Sequence, residues 1–258
     1  MKNILITGCR GGIGLDTAIR LLKKGYKVYA TVHREESIVP LREELSEFCD
    51  NAIVEKIDIN NEDDRKKIDK YDIDVLINNA AIGDSGPLAE IDINRMKKVF
   101  ETNVFSTLEL TKRVIPKMIK KGKGKIIFIS SMAGLMPTPF LSPYASTKFT
   151  LESFIFSLRG ELKPFNIKVV AINPGAYDTG FNIKNINKKY EWMDERGIYK
   201  DNMDIIKRAE KDILNFELKS TRSIAKKIVK AVIQKRPKRR YKAPWWQWIA
   251  VPLLRRFK

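Results

Sequence analysis

Ser131, Tyr144 and Lys148 are the residues whose types and spacing could do chemistry in this chain. In Ser142-Pro143-Tyr144-Ala145-Ser146-Thr147-Lys148 the tyrosine and lysine stand four apart, so a helix puts them one turn apart on one face. Ser142 fits the cap of that helix and Pro143 its first position. A free phenol has a pKa of about 10 and is a poor acid–base group at neutral pH. A nearby ammonium favours the phenolate and lowers that value, which suits proton exchange with a carbonyl or an alcohol. Ser131 closes the apolar run of residues 125–130, read as a buried strand, and open α/β sheets place ligands at the carboxyl ends of their strands. Tyr-x-x-x-Lys alone is common on surface helices, so the surrounding elements decide.

The first of those elements is a strand, Asn3-Ile4-Leu5-Ile6-Thr7, followed by Gly8-Cys9-Arg10-Gly11-Gly12-Ile13-Gly14 and a helical pattern ending at Lys23-Lys24-Gly25. Strand, glycine turn and helix form a phosphate cradle, because glycine lets the backbone approach and helix N-terminal N–H groups meet the charge. A second strand ends at Val32-His33-Arg34, with no acid where a ribose hydroxyl would need one. Basic groups at that place suit a 2′-phosphate, so Arg10 and Arg34 favour NADP(H), with NAD(H) as second choice.

Residues 35–50 read as a charged helix, residues 52–58 as a strand ending in Asp58, and residues 63–70 as weakly helical. A fourth strand runs into Asn78-Asn79-Ala80-Ala81, and residues 96–121 form one long helical pattern holding Asn103. The Tyr144 helix runs to about Leu162, and a sixth strand, residues 167–172, leads into Asn173-Pro174-Gly175. Alternating strands and helices argue an α/β fold, a doubly wound parallel sheet of Rossmann type with right-handed crossovers. Two further helices follow, over residues 201–219 and 223–234.

At 258 residues the chain reads as a single domain. Its net charge of +18 is uneven: fourteen of the 49 Lys and Arg, and none of the 31 Asp and Glu, follow Leu218, leaving the first 218 residues at +4. The expected division is a catalytic domain over 1–242 and a short basic, Trp-rich tail over 243–258. Cys9 and Cys49 suggest no disulfide framework, and one histidine, His33, with isolated cysteines argues against a zinc-type metal site. Met1-Lys2-Asn3 leads straight into a strand without a leader pattern, and no apolar run is long enough to span a bilayer, so a cytoplasmic location is expected.

In order, Thr7-Gly8-x-x-x-Gly12-Ile13-Gly14, Asp58, Asn78-Asn79-Ala80-Ala81, Asn103, Ser131, Tyr144-x-x-x-Lys148 and Pro174-Gly175-x-x-x-Thr179 resemble the short-chain dehydrogenase/reductase family over essentially the whole chain. Ala81 departs from it, standing where the family usually has glycine, and Gly11 stands where many NADP-preferring members have a basic residue. The resemblance implies that Tyr144 exchanges the proton, Lys148 lowers its pKa and bonds the nicotinamide ribose, and Ser131 polarises the substrate oxygen. It implies that Asn103 holds a water in a relay to Lys148. Thr7, Gly8, Arg10, Gly12, Ile13, Gly14, Arg34, Asp58, Ile59, Asn79, Ala80, Pro174, Gly175 and Thr179, with Tyr144 and Lys148, would bind the cofactor. It also implies a homo-oligomer, dimer or tetramer.

Apolar segments, residues 132–141 and 176–204 with Tyr177, Phe181, Trp192 and Met193, wall the substrate in such proteins and suit a lipophilic ketone, aldehyde or alcohol. A 3-oxoacyl reductase of fatty-acid metabolism and a non-catalytic dinucleotide-sensing membrane protein are the alternatives. Residues 235–258 combine Lys and Arg with Trp245, Trp246 and Trp248, which suits a peripheral contact with the cytoplasmic face of a membrane. Packing of the tail on its own domain is the competing expectation. No nucleic-acid recognition module accompanies these residues.

Overall fold

The computed structural model describes residues 2–193 and 197–256, with only the backbone of residues 254–256. Met1, residues 194–196 of the expected substrate wall, and Phe257 and Lys258 of the tail lie outside the described residues. Seven strands form one parallel sheet: β1 Asn3–Ile6, β2 Lys27–Val32, β3 Ala52–Lys56, β4 Val75–Asn78, β5 Gly124–Ile129, β6 Ile167–Pro174 and β7 Arg240–Ala243. Their order is β3-β2-β1-β4-β5-β6-β7, so the chain reverses direction across the sheet between β1 and β4. That switch point opens a crevice at the carboxyl ends of the strands.

The helices are α1 Gly12–Leu22, α2 Ile38–Glu44, α3 Glu62–Lys66, α4 Ile93–Phe100, α5 Thr107–Lys120, α6 Ser142–Glu161, α7 Phe181–Lys188, α8 Met203–Asn215, α9 Arg222–Ile233 and α10 Gln247–Arg256. Successive strand residues point to opposite faces, so each strand feeds two cores. Ile4, Ile6, Val28, Val75 and Ile77 pack on one face with Leu21 of α1 and Ile228 of α9. Leu5, Leu76, Ile126 and Phe128 pack on the other with Leu110 and Val114 of α5 and Leu151 of α6. Burial on both faces explains why the strands read as apolar runs rather than alternating ones.

Three sequence expectations change. The helix expected over 35–50 is broken into Glu35–Ser37 and Ser46–Phe48 turns around α2, where Leu41 and Leu45 are fully buried and Ile38 and Phe48 only partly so. The long helix holding Asn103 contains a π-helical turn, Glu101–Ser106, between α4 and α5. Ser106 Oγ donates to Glu101, and Thr107 Oγ1 donates to the Thr102 carbonyl, both across five residues. Such a turn is rare and common near functional sites, and here Asn103 within it is turned inward to 1% exposure. Lastly, residues 240–243 are β7, paired with Ala171 to Pro174 of β6, so the boundary expected after Lys242 falls inside a strand. Among the described residues no helix is long and apolar enough to cross a membrane.

Candidate active site

A cleft of about 680 Å³ runs along the carboxyl ends of the strands. At one end it is lined by Gly8, Arg10, Gly12 and Gly14, and at the other by Ser131, Tyr144 and Lys148. Ile13, Asp58, Ile59, Asn79, Ala80, Pro174, Gly175 and Thr179 also line it. Arg34 does not; it is exposed and pairs with Glu36 at 3.6 Å, so Arg10 is the expected cation that reaches the cleft. Thr7 is buried behind the wall, where its Oγ1 accepts from the Asn79 N–H at 3.0 Å and the Ala80 N–H at 2.9 Å.

The glycine turn fits a pyrophosphate. Gly8 has φ +71°, and a Cβ there would lie 2.9 Å from the Ala80 Cα. A Cβ on Gly14 would lie 2.6 Å from both Asn79 Nδ2 and the Gly8 carbonyl oxygen. Asn79 Nδ2 donates to the Thr7 and Gly8 carbonyls at 2.8 and 2.9 Å, tying the ends of β1 and β4 together across the switch point. α1 begins with no side-chain cap and no acid in its first turn, leaving its N–H groups for an anion.

The helix α6 presents Tyr144 and Lys148 as the spacing requires. It starts one residue earlier than expected: Ser142 is its first residue, Leu141 takes the cap position, and no side chain caps it. The Ser142 carbonyl instead accepts from Ser146 Oγ at 2.7 Å. Lys148 Nζ donates to the Ile129 carbonyl at 2.9 Å and lies 5.5 Å from the Tyr144 ring centroid. Phe181 meets the same ring edge-on at 5.4 Å. Ser131 Oγ accepts from the Ala133 N–H at 3.1 Å.

With this geometry stands a match over most of the chain: the family described as short chain dehydrogenase covers residues 2–190. The chain belongs to the short-chain dehydrogenase/reductase family. Retinol dehydrogenase 8 of Bos taurus is 31% identical over 92% of this chain and 79% of its own. The NADPH-dependent 3-dehydrocapnine reductase of Ornithobacterium rhinotracheale is 29% identical over 93% of this chain and 87% of its own. The fold matches a crystal structure of a short-chain dehydrogenase from Streptomyces avermitilis with TM-score 0.80, at 23% identity over 99% of this chain and 94% of that one.

In this short-chain dehydrogenase/reductase, burial pushes the Tyr144 phenol up to about 12, with hydrogen bonding to Ser131 pulling the other way. Burial lowers Lys148 to about 8, opposed by the Glu152 carboxylate. The phenol is therefore raised, because its loss of water outweighs the hydrogen bond to Ser131. Asn103 is fixed through its side chain. Its Oδ1 accepts from the Ile82 N–H at 2.9 Å, while its Nδ2 donates to the Ile82 carbonyl at 2.8 Å and to Thr147 Oγ1 at 3.1 Å. The amide therefore clamps the loop after β4 onto α6.

Of the two apolar segments, only the second contributes to the cleft, through Tyr177, Phe181, Asn182 and Lys184. Pro139, Phe140 and Leu141 of the first instead pack around a small void with Ile186 and Ile206, so their apolar character serves internal packing. Arg95 pairs with the buried Asp84 at 2.9 Å, and Lys189, 1% exposed, pairs with Glu210 at 2.6 Å.

Two groups of site-supporting residues were not legible from the sequence. Behind Ser131, Asn173 Nδ2 donates to the Ser131 carbonyl at 3.0 Å and to Glu152 at 2.6 Å, and Arg240 of β7 pairs with Glu152 at 2.7 Å. Glu152 stands one turn beyond Lys148, a spacing that could have drawn notice; Arg240 is 88 residues from it in the chain. The second is Gln247, at the start of α10 and 1% exposed. Its Oε1 accepts from the Ala176 N–H at 2.8 Å, and its Nε2 donates to the carbonyls of Ala176 at 3.2 Å and Phe216 at 2.6 Å. Gly175 must be glycine for this, since a Cβ would lie 1.8 Å from Gln247 Oε1.

Gln247→Leu keeps the volume but leaves those backbone groups unpaired, at a cost of about 1–3 kcal/mol. Its Tm falls by about 2–4 °C per kcal/mol lost, and thermal unfolding with and without dinucleotide measures the fall. A Tm equal to wild type would show that the Gln247 contacts carry no net stability.

Proposed function

We propose that this enzyme interconverts a lipophilic ketone or aldehyde and its alcohol by hydride transfer with NADP(H), with Tyr144 as the proton donor and acceptor. The observation that carries the reading is the joining of the glycine cradle and the Ser131–Tyr144–Lys148 set in one cleft. The dinucleotide supplies the hydride when bound. Gly8, Gly12 and Gly14 would hold its pyrophosphate, Asp58 and Ile59 its adenosine end, and Asn79, Ala80, Lys148, Pro174, Gly175 and Thr179 the remainder. Arg10 would meet a 2′-phosphate.

Ser131 Oγ holds the substrate oxygen against the Tyr144 phenol. In reduction that phenol, raised to about 12, enters the reaction protonated at physiological pH and gives its proton to the oxygen. Lys148 holds the phenolate that remains, and it is an ammonium only below about pH 8. Asn103 acts as a positioning residue, fixing Ile82 and Thr147 around that pair. Phe181 and Tyr177 give the substrate end its apolar surface. The retinol named for the bovine relative, and the NADPH named for the capnine reductase, support the substrate class and the cofactor.

The test is NADPH oxidation over a panel of steroid, retinoid, acyl and aromatic carbonyls, with NADH in parallel. Turnover with no lipophilic carbonyl, or with water-soluble carbonyls alone, removes the substrate reading. Arg10 is half exposed and makes only a long ion pair with Glu44, at 3.9 Å, so a phosphate can compete for its guanidinium. Arg10→Ser raises the KM for NADPH about tenfold, the worth of a charge-assisted hydrogen bond, and leaves the KM for NADH unchanged. Equal changes in both would place the 2′-phosphate elsewhere.

A further inference from the structure

The tail divides between packing and exposure. Trp246 stacks on Phe216, with ring centroids 5.8 Å apart, and Gln247 is buried against Ala176, so one side of α10 is fixed to the domain. Trp245 in the turn before α10 and Ile249 and Leu253 within it, spaced by four, have 74%, 55% and 48% of their surface exposed. Single exposed apolar residues are ordinary, but three large ones at this spacing, one a tryptophan, form a stripe with no internal partner.

Charge identifies the occupant. No acidic residue follows Leu218, while Lys219, Arg222 and Lys242 are exposed, Lys242 with its Nζ 4.1 Å from the Trp248 ring centroid, and the chain beyond Leu253 reads Leu254-Arg255-Arg256-Phe257-Lys258. A second copy of this chain would bring the same cations to the contact, and like charge opposes that pairing. Exposed apolar residues led by tryptophan, in a segment rich in cations and free of acids, match the interface of an anionic bilayer. Position gives the contact a use. Gln247 binds the backbone of Ala176, between Gly175 and Tyr177 of the cleft wall, so the stripe lies beside the substrate end of the cleft.

We propose that Trp245, in the turn before α10, together with Ile249 and Leu253 of α10, docks on an anionic phospholipid surface and holds the substrate end of the cleft at that surface. The docking stands independently of which carbonyl is reduced. Each Lys or Arg near such a surface strengthens binding about fivefold, and salt removes that contribution.

The full chain is sedimented with phosphatidylcholine vesicles, with and without phosphatidylglycerol, at low and high salt. Wild type is expected to pellet with the anionic vesicles at low salt and to be released at high salt. The triple variant Trp245→Ala, Ile249→Ser, Leu253→Ser is expected to bind about tenfold more weakly or less. That variant should keep its NADPH turnover of a water-soluble ketone and its size in solution. Absence of wild-type binding to anionic vesicles overturns the proposal, as does undiminished binding by the variant. A variant that falls from dimer to monomer also overturns it, by assigning the stripe to a second copy. Vesicle binding is read without any turnover, so its failure and a failure of the proposed reaction are separate results.

Discussion

Tyr144→Phe lowers kcat for carbonyl reduction by about 10²–10⁴-fold while NADPH binds within about twofold of wild type, the range expected for loss of a positioned general acid. Phenylalanine keeps the ring, so the edge contact with Phe181 and the place of Lys148 beside the ring survive. What leaves is the more acidic of the two hydroxyls in the set, protonated through neutral pH with its pKa at about 12. Ser131 cannot stand in for it, because an unassisted serine hydroxyl is a far weaker acid and its Oγ already accepts from Ala133. Stopped-flow turnover and dinucleotide fluorescence separate the two effects. A variant retaining more than about a tenth of wild-type kcat would remove Tyr144 from the proton step.

Lys148→Met has the second large effect, and it shows in pH as well as rate. Without the ammonium, negative charge left on Tyr144 has no counter-charge in a dry site, so kcat/KM falls about 10²–10³-fold, as when a positioned donor is removed. The stability profile changes too. In the folded protein Lys148 titrates at about 8, below its ordinary 10.5. Between those values the unfolded chain carries a proton that the folded chain lacks, so stability rises with pH across that window. Below about pH 8 both states are protonated, and the cost of the buried ammonium is present in full.

Lys125, also lowered to about 8 by burial, adds a rise of the same sign that persists in the variant. Tyr144, raised to about 12, acts oppositely above pH 10, where the unfolded phenol ionises first. Tm measured from about pH 7 to 10 should therefore rise less steeply in Lys148→Met than in wild type. Parallel profiles would mean that Lys148 keeps an ordinary pKa in the fold.

Most of the sheet and the candidate site could be read from the chain because both rest on local rules. The turn at Gly8 needs a positive φ and a close backbone approach, and both requirements show as glycine. Tyr144 and Lys148 share a helix, so their spacing alone puts them on one face. β7 was not legible, since Arg240-Tyr241-Lys242-Ala243 has one buried tyrosine and two cations in an edge strand. The basic run that conceals it reads as a tail. The same is true of Pro139 to Leu141, whose apolar character is equally suited to a substrate wall or to internal packing.

By itself, the sequence determined the doubly wound sheet, the dinucleotide cradle and the serine–tyrosine–lysine set, because short-range spacing and backbone sterics dictate each of them. Tertiary structure alone decided the rest. It turned the Asn103 amide onto Ile82 and Thr147, brought Arg240 to Glu152 behind Ser131, and set Gln247 against Ala176 across 71 residues of chain. It also raised the phenol that the neighbouring lysine was expected to lower. Burial and long-range hydrogen bonds depend on what the folded chain encloses, and no local spacing records that.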